Sequence, residues 1–309
     1  MGLRFHRFIF LFYLIFTAII AHAQQDAQYS QYLNNTVTIN PAYAAAAETW
    51  SSTLLHRSQW VGFDGAPVTQ TLSFQLPLSK LNMGLGLSIT NDKIGPSKET
   101  GIYADYAYRI NLSKFNHLVF GVKSGIDLFQ RTINAGDYNS LKDNFLANNI
   151  PNIFLPNFGW GAYFYARDYF IGLSTPRLLR NQFIGSKKLD LTNNGKQEMH
   201  FFLLGGCVYI INKNFVVKPS LLTKVTINAP ISMDLNINFL VQNKMWLGLM
   251  FRFVDAFGVT VQYQISNNIK AGYAFEKTVS NIGTYSYGSH EIMVSFSGKS
   301  TRKTSFRYF

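Results

Sequence analysis

The sequence has few charged residues and, after its first two dozen positions, no long apolar run. Charged residues make up 14% of the 309 residues, whereas roughly 25% is usual in soluble domains. Hydrophobic residues make up 47% and aromatic residues 16%, so the chain has ample apolar surface to bury and intrinsic disorder is excluded. A bundle of membrane helices is excluded too, because each spanning helix needs about 18 consecutive apolar residues.

Acidic residues are scarce: 16 Asp and Glu stand against 28 Lys and Arg, a formal net charge of +12. In a cytosolic protein this excess would suggest nucleic acid binding. The N-terminus argues against a cytosolic protein, because Met1–Ala23 (residues 1–23) has the form of a cleaved secretory signal peptide. It has a basic start, an apolar stretch over Phe8–Ile20 and a small-residue cleavage site at Ala21–Ala23. We therefore expect an exported chain that begins at Gln24 and has no nucleic acid partner.

Groups that carry enzymatic chemistry are also scarce. The only cysteine, Cys207, lies in an apolar strand-like run and cannot form an internal disulfide, so stability must come from a large core or from a closed structure in lipid. The six histidines show no spacing typical of a metal site, and no Ser/His/Asp grouping stands out. We expect no enzyme, no metal and no cofactor.

Period-two alternation of apolar and polar residues dominates the chain after residue 49. In Ile231–Phe239 five apolar residues alternate with Ser232, Asp234, Asn236 and Asn238, the pattern of a strand with one apolar and one polar face. The same pattern recurs and predicts about fourteen strands (roughly twelve to sixteen), many of them near the ~9–11 residues that cross a bilayer at a tilt. The predicted strands are 50–57, 67–77, 82–91, 99–110, 117–131, 157–166, 168–174, 199–211, 215–225, 231–242, 245–253, 256–265, 269–276 and 288–297.

The connections between the predicted strands differ in length by parity. Counted from the N-terminus, the even connections are short, and the odd ones include the long segments 58–66, 91–98, 132–156, 175–198 and 277–287, although the odd connections at 226–230 and 254–255 are short. An even strand count with tight turns on one rim and long loops on the other is typical of an outer-membrane barrel. The predicted fold is therefore an all-β, transmembrane, antiparallel up-and-down β-barrel.

The two faces of these strands predict two environments. Aromatic residues near strand ends are expected to face lipid as girdles, whereas charges within strands fit a hydrated lumen. The alternative is a water-soluble β-sandwich with an aromatic core, whose strands would be shorter. The expected lipid-facing aromatics are Phe158, Trp160, Phe164, Tyr169, Trp246, Phe257, Tyr263, Tyr273, Phe275 and Phe296. The expected lumen-facing charges are Asp105, Arg109, Lys123, Asp127, Lys218, Lys224, Asp234, Lys270, Glu276 and Glu291.

Two segments do not fit simple barrel construction. Residues 24–49 precede the first strand and are predicted to form a periplasmic or lumen-plugging segment, followed by the barrel (50–297) and a C-terminal tail (298–309). Ser58–Pro67 is an aromatic, glycine-rich first loop, in which Trp60 and Phe63 need either a packing partner on the barrel or a ligand.

Four blocks of sequence resemble the PorP/SprF family of type IX secretion system membrane proteins. They are Gln25–Tyr32 (QDAQYSQY), Ile39–Ala44 (INPAYA), Arg57–Thr69 (RSQWVGFDGAPVT) and Ser305–Phe309 (SFRYF). The resemblance implies an outer-membrane barrel of a Gram-negative-type cell that serves protein secretion, gliding motility or surface attachment. It implies as partners other type IX components and a large secreted cargo or adhesin, beside the outer-membrane lipid and lipopolysaccharide.

The sequence therefore favours a non-enzymatic barrel that binds, secretes or anchors an exported partner, with a general or ligand-specific porin as the alternative. A lumen filled by the N-terminal segment or by loops would favour the first function, and a continuous hydrated pore the second. The candidate partner-binding residues are Trp60, Phe63, Asp64, Asn40, Pro41 and Tyr43.

Overall fold

The computed structural model describes residues 28–132, 150–181, 197–227 and 229–298. These residues form one antiparallel sheet, preceded by two short helices, α1 (Thr36–Ile39) and α2 (Tyr43–Ala46). No helix within these ranges is long and apolar enough to cross a membrane. The strands are β1 (Ser51–Ser58), β2 (Val68–Leu78), β3 (Met83–Ile94), β4 (Ser97–Asn111), β5 (His117–Arg131), β6 (Ile150–Tyr165), β7 (Tyr169–Thr175), β8 (His200–Cys207), β9 (Tyr209–Asn212), β10 (Phe215–Thr226), β11 (Ser232–Val241), β12 (Met245–Arg252), β13 (Ala256–Gln264), β14 (Ile269–Thr278) and β15 (Ser289–Ser297).

The sheet closes on itself. Each strand pairs with the next, except that β8 pairs with β10 and not with β9, and β1 pairs with β15 from Ser51↔Ser297 to Ser58↔His290. Both β8 and β9 pair with β10, so they form one barrel strand interrupted at Val208, and the fifteen segments make fourteen barrel strands. The prediction of an up-and-down barrel is confirmed. The largest difference in strand bounds is β6, which begins at Ile150 and not at residue 157.

The side chains alternate between a buried inner face and an exposed outer face along most strands. All ten predicted lumen-facing charges lie on the inner face, and nine of the ten predicted aromatics lie on the outer face. Trp246 is the exception, and its assignment was wrong. It shares the inner face of β12 with Gly248 and Met250 and packs against a cluster that contains Val216 and Leu240.

The connections define two rims. The long-loop rim carries the connections β1–β2, β3–β4, β5–β6, β7–β8, β10–β11, β12–β13 and β14–β15, and the short-turn rim carries the other six. The expected long connection at 91–98 is wrong, because β3 and β4 continue to Ile94 and from Ser97 around a turn of Gly95 and Pro96. Its polar residues are strand residues: Thr100 donates a hydrogen bond to Asn91 at 3.1 Å.

The hydrophobic core of the barrel is built around residues 28–47, the N-terminal segment. Most of its residues are buried, including Tyr32, Val37, Ala42 and Ala44 at 2% exposure or less. Its side chains and backbone contact inward-facing residues of strands around the ring, from β1 through β7 and on β11, β14 and β15. A segment that touches opposite walls through their inner faces lies inside the lumen.

Candidate functional site at the filled lumen and the long-loop rim

The N-terminal segment begins at the long-loop end of the lumen. The backbone N–H groups of Ser30 and Gln31 each donate a hydrogen bond to the Glu291 carboxylate at 2.8 Å. The Ser30 hydroxyl also donates a hydrogen bond to the Glu276 carboxylate and accepts one from the Arg57 guanidinium at 2.5 Å. These strand residues lie at the ends of β1, β14 and β15 next to the long-loop rim. A carboxylate that accepts two consecutive backbone N–H groups fixes the main chain without regard to side-chain identity.

A buried ionic network surrounds this anchor. Arg57 pairs with Glu276 at 2.8 Å and with Glu291 at 3.4 Å, and Arg252 joins Glu276 at 3.4 Å to Asp234 at 2.8 Å. All five side chains are 2% exposed or less. Removing one member of such a network leaves an uncompensated buried charge, at a cost of about 3–5 kcal/mol. The network therefore ties the segment to five barrel strands.

The second half of the segment runs towards the short-turn end with very close backbone approach. Gly84 lies against the backbone of Ala44, and a Cβ on Gly121 would lie 2.6 Å from the Cα of Ala42. The glycines of β3 and β5 thus leave room for the main chain of the segment. Because Gly84 is the second residue of β3, the segment traverses the lumen from the long-loop end to the short-turn end.

Three of the predicted site residues, Asn40, Pro41 and Tyr43, lie inside the lumen. The Asn40 amide donates a hydrogen bond to the carbonyl of Ala162 at 3.2 Å and accepts one from the backbone of Ala42 at 3.0 Å. Pro41 packs against Gly121 and Gly161. The Tyr43 ring meets the Tyr163 ring edge-on, with a centroid distance of 5.5 Å. These contacts fix the segment on β5 and β6.

The other three, Trp60, Phe63 and Asp64, lie on the long-loop rim in the loop of residues 59–67. The Trp60 indole donates a hydrogen bond to Thr278 Oγ1 at 3.2 Å, and its backbone has a φ of +49°. Phe63 is 46% exposed and Asp64 is exposed. The six predicted residues therefore form two groups, and within the exposed group Trp60 is half-buried against the barrel.

The loop of residues 59–67 is held in place by its neighbours on the rim. Val61 exchanges two backbone hydrogen bonds of 2.8 Å with the β14–β15 connection, one to Gly288 and one from Tyr287. Gly62 has a φ of +94° and lies against the Tyr287 ring, where a larger residue would be strained and crowded. Tyr285 and Tyr287 are 73% and 79% exposed. The sequence analysis did not single out these two tyrosines, although they lie in an odd-numbered connection, the class that was predicted to include the long loops.

The described residues contain no group of three or more His, Cys, Asp or Glu side chains that would hold a metal ion. What they present is a filled lumen, a charged anchor within it and an aromatic surface on one rim. A closed barrel with apolar and aromatic residues on its outer face and polar residues on its inner face defines an integral outer-membrane protein.

The chain belongs to the PorP/SprF family of type IX secretion system membrane proteins, whose family model matches residues 21–296. No curated protein sequence matches the chain.

Solved structures with a similar fold are outer-membrane barrels. A deletion mutant of the monoaromatic hydrocarbon channel TodX has a TM-score of 0.50 at 10% identity and covers 88% of this chain and 95% of its own. The monoaromatic hydrocarbon channel CymD has a TM-score of 0.47 at 9% identity and covers 85% of this chain and 91% of its own. A Pseudomonas aeruginosa FadL homologue has a TM-score of 0.45 at 11% identity and covers 85% and 93%. At these identities the likeness concerns the fold alone.

Proposed function

We propose that the protein is a non-enzymatic barrel of the type IX secretion and gliding machinery that binds an exported partner and anchors it at the cell surface. The observation that carries the proposal is the N-terminal segment, which fills the lumen from one end to the other. A general porin needs a continuous hydrated path, and a 14-stranded barrel is wide enough for one only when its interior is left empty. The filled lumen therefore favours binding over diffusion.

In this proposal the long-loop rim faces the cell surface and the short-turn rim faces the periplasm, as is usual for such barrels. The surface partner is a large secreted cargo or adhesin, and lipopolysaccharide surrounds the barrel in the outer leaflet. The partner docks on the exposed aromatic residues of the rim, Phe63, Tyr285 and Tyr287. Exposed aromatic side chains next to backbone-fixed loops favour protein docking, because such anchors dominate interface energies.

Trp60 has a supporting role in this proposal. Its indole N–H is bound to Thr278, and its backbone N–H donates to Ser289 Oγ at 3.2 Å. It therefore holds the loop against β14 and β15, so that Phe63 is presented outwards. The buried Asn40, Pro41 and Tyr43 contribute by keeping the lumen filled, and they do not touch the partner while the segment is seated.

The test combines two measurements on the same protein. Purified barrel in a planar bilayer should give no stepwise conductance, and cells that lack the protein should lose at least one exported protein from their surface. Phe63→Ala with Trp60→Ala should insert normally yet lose that partner, since one aromatic anchor is worth about 2 kcal/mol or roughly thirtyfold in affinity. The matched control is Leu81→Ala, a 59% exposed side chain on the opposite rim. Stepwise conductance of the wild type would establish the porin alternative, and an unchanged surface proteome in the deletion strain would refute anchoring.

A further inference from the structure

One strand of the barrel keeps an unpaired edge. The pairing of β7 with β8 ends at Tyr169↔Cys207, and the last hydrogen bond between them runs from the Val208 N–H to the Asp168 carbonyl at 2.7 Å. Beyond this point β9 pairs with β10 only, and it is the terminal strand in the order of the sheet. Among the described residues no strand lies beside its other edge. Closed barrels otherwise have no edges, so β9 is an exception within this fold.

The side chains of β9 are exposed on both faces. Tyr209, Ile210 and Ile211 are 60%, 50% and 61% exposed, and Asn212 is exposed as well. Other strands, such as β13, alternate strictly between buried and exposed residues. Proteins usually protect an open edge with a charge, a proline or a bulge that turns it away. β9 is four residues long, and its register against β10 shifts between Phe215 and Val216. It contains no charge and no proline, so nothing in its own sequence blocks pairing at the open edge.

The hairpin that carries this edge is held rigidly from the other side. Val208, Val216 and Leu240 form a small buried cluster at its base, against which Trp246 packs. The tip is bound to the β11–β12 turn, where the Asn243 side chain donates to the Lys213 carbonyl at 2.7 Å. An incoming strand therefore meets an ordered template, and binding does not carry the entropic cost of ordering it.

The charges of the rim that carries this edge indicate what kind of strand it takes. The six connections of the short-turn rim contain five basic side chains and one acidic side chain, Asp168. Opposite charge across an interface selects and steers a partner. The basic residues are Lys80, Lys114, Arg167, Lys213 and Lys244.

We propose that the open edge of β9 is a strand-addition site that takes an extended, acidic polypeptide segment of a partner protein on the short-turn side of the membrane. Main-chain hydrogen bonds to the edge supply affinity, and alternate apolar side chains of the segment contact Tyr209, Ile210 and Ile211. The site lies on the rim opposite to Phe63 and Tyr287, so it is independent of the surface partner proposed above.

The test measures binding of synthetic peptides to the purified full chain in nanodiscs of neutral lipid. The first peptide alternates Val and Thr between terminal Glu residues. The second is identical but carries N-methyl groups at alternate positions, which remove backbone donors and preserve every side chain. We expect the first peptide to bind about tenfold or more tightly than the second, because two or more hydrogen bonds are lost. A third peptide with Lys in place of Glu should also bind more weakly than the first.

Two matched variants locate the site. Ile211→Asp should weaken binding of the first peptide about tenfold, because it places a like charge on the edge and removes an apolar contact. Leu112→Asp adds the same charge on the same rim at a 57% exposed position between fully paired strands, and it should bind like the wild type. Semi-native gel mobility shows that both variants are folded. Equal affinity for the first two peptides, wild-type binding by Ile211→Asp, or no binding of the first peptide at high micromolar concentration would each overturn the proposal.

Discussion

Replacing Gly121 by alanine tests whether the N-terminal segment is what fills the lumen. The added methyl group would lie 2.5 Å from the carbonyl carbon of Pro41 and 2.6 Å from the Cα of Ala42. Ordinary contacts between such carbon atoms are about 3.5–4.0 Å, so the overlap is about 1 Å. Both partner atoms are backbone and cannot rotate away. Overpacking of this kind typically costs about 1–3 kcal/mol.

The strand ladder of the barrel is not affected by this change, because the methyl group points into the lumen and leaves the backbone hydrogen bonds of β5 intact. The cost therefore falls on the seating of the segment. At about 2 kcal/mol, the population of barrels with an unseated segment rises roughly thirtyfold. We expect Gly121→Ala to open transiently in planar bilayers and to show faster hydrogen exchange over residues 36–47 than the wild type.

The matched control is Gly205→Ala on β8, where the nearest atom to the added methyl group is the Phe170 carbonyl oxygen at 3.8 Å. This variant should match the wild type in conductance and in exchange, and both variants should keep the gel mobility of a folded barrel. If Gly121→Ala and Gly205→Ala behave alike, the close contact between the segment and β5 does not exist and the reasoning is wrong.

Three further predictions concern the network, the lipid face and the topology. Arg57→Met should lower the temperature at which the barrel unfolds in detergent, since it removes the cation that pairs with Glu291 and one of the two that pair with Glu276, at a cost of about 3–5 kcal/mol. Arg167→Met, which removes only a 4.0 Å pair with 68% and 57% exposed side chains, should change it little; equal shifts would contradict the buried network. Leu249→Arg should reduce refolding into bilayers, because arginine on the lipid face near the midplane costs about 2–4 kcal/mol, whereas Leu112→Arg, at similar exposure on the rim, should refold normally; equal yields would argue against the assigned faces. An epitope inserted after Asn281 should be reached by antibody on intact cells and one after Asn214 should not, and the opposite pattern would reverse the proposed orientation.

The strands were predictable because the barrel wall separates lipid on the outside from a polar lumen on the inside. Each strand must alternate, and the register of β11 is already fixed by Asp234 and Asn236 facing the lumen. Gly159 and Gly161 follow the same alternation on the inner face of β6, where the structure places Pro176 against the first and Asn40 against the second. Local chemistry was sufficient for these features.

Two features were not predictable from local pattern. Met245–Phe251 is apolar on both faces, so alternation alone does not assign Trp246. Trp246 faces the lumen because its ring packs against Leu240 on the neighbouring strand and lies 5.6 Å, measured from the ring centre, from the ammonium group of Lys218. The anchor of the N-terminal segment joins Ser30 to Glu291, residues at opposite ends of the described chain. Contacts over such a separation leave no periodic signal in the sequence.

The anchor also lies across the seam where the first and last strands meet. Arg57 of β1 and Glu291 of β15 are partners in the register that closes the barrel, and Glu291 holds the backbone of Ser30 and Gln31. A segment that precedes every described strand of the barrel is thus bound by the last of those strands. Closing the cylinder and seating its own leading segment are therefore coupled energetically, because the same carboxylate contributes to both. A barrel that closed with the segment outside would bury Glu291 without those two donors, so the seam itself selects the correctly filled product.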